Sequence, residues 1–193
     1  VVDVKPIYGE VLYKSKILPP LTTVNGKVIH RDWDYLQYFI SEARRLGLKV
    51  TVSTAMFPSG HPATREGLVY DEPRWDGKTC LEYTPGGKML DIREDKKKVG
   101  AFLNPVRKDV RKFALSIVRE IVKNYDVDAY ALDYCRYPGD DSDFSIDSQK
   151  AFERYLGKKI QNFPDDIFTW NTDGTKKPGI YYKEWWADRK SVV

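Results

Sequence analysis

The chain has 193 residues, 41% hydrophobic, 31% charged and 13% aromatic, with a net charge of +4. That length fits one domain or part of one, and the ordinary composition excludes intrinsic disorder and collagen-like or low-complexity structure. No run approaches the ~20 apolar residues of a membrane span, and 32 basic against 28 acidic residues make a mixed surface that argues against a nucleic-acid partner.

In chain order, residues 1–5 are β-branched, are stopped by Pro6 and read as a buried strand. A loop with Tyr8, Gly9 and Tyr13 follows, then a Pro- and Thr-rich stretch over residues 18–26. Asp32 is a candidate N-cap, with His30 at the surface before it. Trp33, Leu36, Phe39, Ile40, Ala43 and Leu46 then fall at helical spacing. Gly47 stands where a glycine ends a helix, and residues 49–57 read as a second strand. Residues 58–103, rich in Gly and Pro, form one long connection of the kind that is functional or carries its own small structure. Within it the charged run 93–98 reads as a solvated face.

Asn104-Pro105 looks like a helix start, an N-cap followed by Pro at the first helical position. Val110, Phe113, Ala114, Ile117, Val118, Ile121 and Val122 line one side of that helix, which ends near Asn124. A third strand over residues 127–132 ends at Asp133. A polar loop over residues 138–144 leads to a helix capped by Ser145, with Phe152, Tyr155 and Leu156 inward. The last segment, from Tyr181, looks like a helix cut by the chain end.

This alternation predicts an α/β fold with a parallel sheet, either a doubly wound open sheet or a TIM-type barrel. No G-x-G-x-x-G follows a strand and no P-loop occurs, so nucleotide binding has no support. A barrel needs eight strands and about 250 residues, and three strands cannot close. The expectation is therefore one domain over residues 1–193, about three βα units of a (β/α)8 barrel, with a long βα-loop excursion at about 58–103. The remainder of the barrel would lie in a longer chain; a compact three-layer domain is the competing reading. No signal peptide is visible. Cys80 and Cys135 lack CxxC spacing and clustered histidines, so a zinc site is not expected; a single disulfide and free thiols both remain open. No metal and no cofactor are expected.

The residues that could carry chemistry cluster at the third strand. Asp133 ends an apolar run, and in a barrel its carboxylate would project at the face where sites are built. Arg136, three residues on, could pair with Asp133 or hold a substrate hydroxyl; a cation beside a carboxylate favours the ionised form. An ionised carboxylate suits a nucleophile or a stabiliser of an oxocarbenium-like transition state. A structural ion pair pinning the loop is the bland alternative. Asp128, at the other end of the strand, is expected to cap a turn. The carboxylates Asp140, Asp141 and Asp143 read as a solvated loop, with Asp143 near the Ser145 cap.

The stretch Phe102-Leu103-Asn104-Pro105, then Tyr125-Asp126-Val127-Asp128, Leu132-Asp133-Tyr134-Cys135-Arg136-Tyr137 and Asp143-Phe144-Ser145 resembles the family 10 glycosyl-hydrolase-like proteins. The resemblance is best over residues 67–164; Ala129 stands where the family often has Gly. It implies a (β/α)8 barrel distantly similar to α-amylase-type glycosidases, acting on oligo- or polysaccharide and exported. It places the nucleophile at Asp133 and the acid/base on a following strand outside this chain. Arg136 and Tyr137 would support substrate or nucleophile. Asn104, His61, Tyr8 and Trp75 are further candidate sugar contacts, with Tyr13 as another stacking ring. A non-catalytic carbohydrate-binding barrel is the alternative.

Overall fold

A computed structural model describes residues 1–24, 26–29 and 32–192, with the backbone alone for residues 190–192; His30 lies outside the described residues. The elements are β1 (Val2–Lys5), the short β2 (Thr23–Val24) and β3 (Lys27–Val28), α1 (Tyr35–Arg45), β4 (Thr51–Ala55), α2 (Leu68–Asp71), β5 (Leu81–Tyr83), β6 (Met89–Asp91), α3 (Lys108–Asn124), β7 (Ala129–Asp133), α4 (Ile146–Leu156), β8 (Phe168–Trp170), β9 (Lys176–Pro178) and α5 (Tyr182–Val192).

β1, β4 and β7 form one parallel sheet in that order, as the alternation predicts. Val2 pairs with Val52 and Val52 with Tyr130; Asp3 pairs with Ser53 and Ser53 with Ala131. Because side chains alternate across a strand, this register gives the sheet two unlike faces. Val2, Val4 and Val52 are buried in one core with Leu36, Ile40 and Ala43 of α1 and Val110, Ala114, Ile117 and Ile121 of α3. The opposite face carries Asp3, Thr51, Ser53, Ala129, Ala131 and Asp133, all half-buried or exposed. A second core holds Phe144, Phe152, Phe168 and Trp185 between α4, α5 and the β8–β9 hairpin.

The connection after β4 carries α2, two 3₁₀ turns and the antiparallel β5–β6 pair. Two helix starts differ from the sequence expectation. Asp34, not Asp32, caps α1, accepting the Gln37 N–H at 3.0 Å; the apolar stripe therefore begins at Leu36, and Trp33 stays outside the helix. α3 starts at Lys108 rather than after Asn104. The Asn104 side chain is drawn into the protein by a buried carboxylate, Asp143, and its Oδ1 accepts the Val106 N–H in a local turn. Gly47 follows α1 with φ +70° and Ser145 caps α4, both as predicted.

The run 93–98 is only partly a solvated face. Arg93 is held between Asp76 and Asp91, and Lys98 between Glu82 and Asp141. Opposite charges from β5, β6 and the loop after β7 recruit these two side chains. Both cysteines are free thiols.

Candidate functional site

Parallel pairing brings the C-terminal ends of β1, β4 and β7 side by side, so the segments leaving them share one rim. Asp133 is the last residue of β7, opposite Ala55, and is exposed. Its carbonyl accepts the Met56 N–H at 2.8 Å, which ties its backbone to β4. One carboxylate oxygen accepts the Tyr134 N–H at 2.8 Å. Tyr134 has φ +46°, a left-handed conformation that costs a non-glycine residue roughly 1–3 kcal/mol and collects at functional sites. Its ring is fixed edge-on against Phe102, with centroids 5.8 Å apart.

Arg136 does not pair with Asp133 among the described residues. It donates to the carbonyls of Tyr137 and Pro138 at 3.0 and 3.3 Å, and its guanidinium lies over the Tyr134 ring, 5.2 Å from the centroid. The backbone acceptors of the turn reach the guanidinium first, so it braces the chain leaving β7. Tyr137 turns inward instead: the Arg189 guanidinium lies 3.6 Å from its ring centroid, and burial raises its phenol well above the ordinary value.

Lys5 ends β1 and is fully buried. Its ammonium donates to the carbonyls of Ala55 at 2.5 Å and Pro58 at 2.9 Å, where β4 gives way to its loop. Burial lowers its pKa to about 7, with the charge of Asp3 opposing the drop. Lys5 thus ties β1 to the residue that faces Asp133. Sequence reading passed over it; a lysine closing an apolar strand is the signal that could have drawn notice.

Among the other candidates, Tyr8 and His61 come together, stacked with centroids 5.6 Å apart and planes 23° from parallel. The His61 ring also meets Thr64 Oγ1 at 3.1 Å. Glu10 is near: burial and then the charges of Asp71 and Glu66 raise its carboxyl to about 7. Trp75 is not an open platform. It is buried against Phe113, with ring centroids 4.6 Å apart, because the 3₁₀ turn that carries it packs on α3. Tyr13 is buried too and donates to Glu120 at 3.0 Å. Asn104 is buried, donating to Asp143 at 2.5 Å and Ser145 at 3.0 Å, so its polar atoms are engaged within the protein.

Asp143 is buried rather than solvated. It accepts from the Leu81 N–H at 2.6 Å, Asn104 at 2.5 Å, Ser145 at 2.5 Å and Ser148 at 2.7 Å. Burial raises its carboxyl, a rise that Ser145, Ser148, the Leu81 N–H and the Arg189 charge oppose. Asp128 caps the opposite end of the sheet, as predicted, accepting from the Val50 N–H and Arg44, each at 2.7 Å. Among the described residues no group of three or more His, Cys, Asp or Glu could hold a metal ion.

The sequence model of the family described as glycosyl hydrolase-like 10 matches residues 1–189. The chain belongs to this family. A curated relative, the S-layer-related protein of Niallia circulans, is 34% identical over 203 residues, covering the whole of this chain and 12% of the relative's own length. This glycosyl hydrolase-like 10 chain thus spans about an eighth of the protein it matches. The match runs through β1, β4 and β7 together, including the Asp133 rim and the buried Asp143. No helix among the described residues is long and apolar enough to cross a membrane.

Proposed function

We propose that the chain is part of a glycoside hydrolase acting on oligo- or polysaccharide, with Asp133 as the carboxylate that attacks the anomeric carbon or stabilises the charge that develops there. The observation that carries this reading is an exposed carboxylate at the C-terminal end of a parallel strand, followed by a tyrosine in a left-handed conformation. Parallel α/β folds build their sites at that end, and a glycosidase needs one ionised carboxylate there and a second group that gives a proton. The family's description supports a carbohydrate substrate. Residues 1–193 would be one partial barrel domain, completed by strands elsewhere in a longer protein. His61, half-buried and backed by the stacked, buried ring of Tyr8, offers a contact for a sugar; Arg136 holds the turn after Asp133 and Tyr137 anchors it. The relative's S-layer name favours an exported protein working at the cell surface.

The test is Asp133→Asn in the full-length protein, with release of reducing sugar from cell-surface polysaccharides as the readout. Loss of turnover with an unchanged melting temperature is the expected result. Unchanged turnover overturns the assignment. The family's description as hydrolase-like also accommodates a second reading, a barrel that binds glycans without cleaving them. Saturable glycan binding by a wild-type protein that releases no sugar would establish that one.

A further inference from the structure

We infer that Asp3 is the second carboxylate of this site, the group that hands a proton to the glycosidic oxygen while Asp133 acts at the anomeric carbon. The inference rests on the reading of Asp133 above and moves the proton donor from a missing strand to β1 of this chain.

The placement follows from register. Asp3 pairs with Ser53 and Ser53 with Ala131, while Asp133 stands two residues beyond Ala131 on the same strand. Asp3, Ser53, Ala131 and Asp133 therefore share one face, the one the helices leave open, and Asp3 and Asp133 are both exposed on it. The β4 and β7 side chains between them on that face are small, Ser53, Ala55 and Ala131, and the buried Lys5 ammonium reaches β4 at the Ala55 carbonyl beside them.

Barrel geometry brings them closer than a flat sheet would. In an eight-stranded barrel of shear eight, each strand is staggered by about one residue on the last, and one interior layer takes its side chains from alternate strands. Residues on alternate strands then share a height when their registers differ by about two, which is the offset between Asp3 and Asp133. The pair would occupy one layer, about a quarter turn apart, facing across the mouth.

The electrostatics agree with that placement. Packing of the strands around Asp3 raises its pKa, and the charge of Asp133 adds to the rise; the Lys5 backbone N–H and the Lys5 ammonium oppose it. Of the neighbouring strands, β7 contributes Asp133 and the Tyr130 phenol, and β4 contributes no titrating side chain. A carboxyl raised by burial and a like charge is suited to the proton-giving role of such a pair. In the reaction, the carbon–oxygen bond at the anomeric centre breaks and its electron pair goes to the leaving oxygen, which takes the Asp3 proton and departs as a neutral alcohol. The new bond to that carbon comes from an Asp133 oxygen, or from a water that gives its proton to Asp133.

The experiment uses the full-length protein and two substrates of one sugar, an oligosaccharide that the wild type cleaves and the corresponding 2,4-dinitrophenyl glycoside. The dinitrophenolate leaves without protonation. Asp3→Asn is expected to lose ~10²- to 10⁴-fold on the oligosaccharide and to stay within about tenfold on the dinitrophenyl glycoside, with the alkaline limb of its pH profile gone. Asp133→Asn is expected to lose both rates. Asp3→Glu, which keeps an acid at a shifted position, should recover part of the oligosaccharide rate. Equal losses on both substrates, or none, in Asp3→Asn overturn the inference and leave Asp133 standing. Full activity in Asp133→Asn overturns the underlying reading instead.

Discussion

Two aspartates ten residues apart in sequence, Asp133 and Asp143, meet opposite surroundings. Asp143 is sealed, and its two oxygens accept four hydrogen bonds from Leu81, Asn104, Ser145 and Ser148. Asp133 is open, and the hydrogen bond to its carboxylate comes from the next residue's N–H. A carboxylate whose acceptor sites are all filled holds strands and helices together and has no capacity left for a ligand. One left open on a face of small side chains contributes little to stability and keeps its chemistry available. Exposure and unfilled acceptor sites, more than position in a motif, separate the two roles.

The contrast can be broken by substitution. The largest expected effect is at the sealed site: Asp143→Ala should cost roughly 3–5 kcal/mol, since it strands several buried donors, read as a drop in the urea midpoint. Lys5→Met should change the pH dependence of stability. The folded pKa of Lys5 is about 7 and the unfolded one is about 10.4, so between these values the unfolded chain binds more protons and stability rises with pH. That rise, on the order of a few kcal/mol, should vanish in Lys5→Met when unfolding is followed from pH 7 to 10. Ser148→Ala, which removes one donor from Asp143, should cost about 1–3 kcal/mol in the same urea assay. Smallest of all, Asp133→Asn should move the midpoint by no more than about 0.5 kcal/mol; a loss as large as that of Asp143→Ala would show that the two aspartates do the same work.

Much of this was open to sequence reasoning. The β-branched runs, the α1 and α3 stripes, Gly47 and Ser145 located the three parallel strands and their helices to within a few residues, because alternation and end-capping are local properties. Asp133 was legible for the same reason, as an acid closing an apolar strand. Two of the misreadings share one cause: a partner distant in the chain. Asn104 and Pro105 carry a valid helix-start signal, yet Asp143, distant in sequence, takes the asparagine. Trp75 reads as an exposed ring until α3 packs over it. Arg136 differs: the carbonyls of its own chain neighbours, Tyr137 and Pro138, take its guanidinium in place of Asp133.

Local chemistry was therefore enough to establish an α/β chain with an acid at the end of its third parallel strand. Which acid is sealed and which is open, and that Asp3 of β1 faces the same surface as Asp133, depended on how the strands pair and what covers them. Pairing register joins residues more than a hundred positions apart, and burial depends on everything packed around a group; neither is written in the few residues on either side of it.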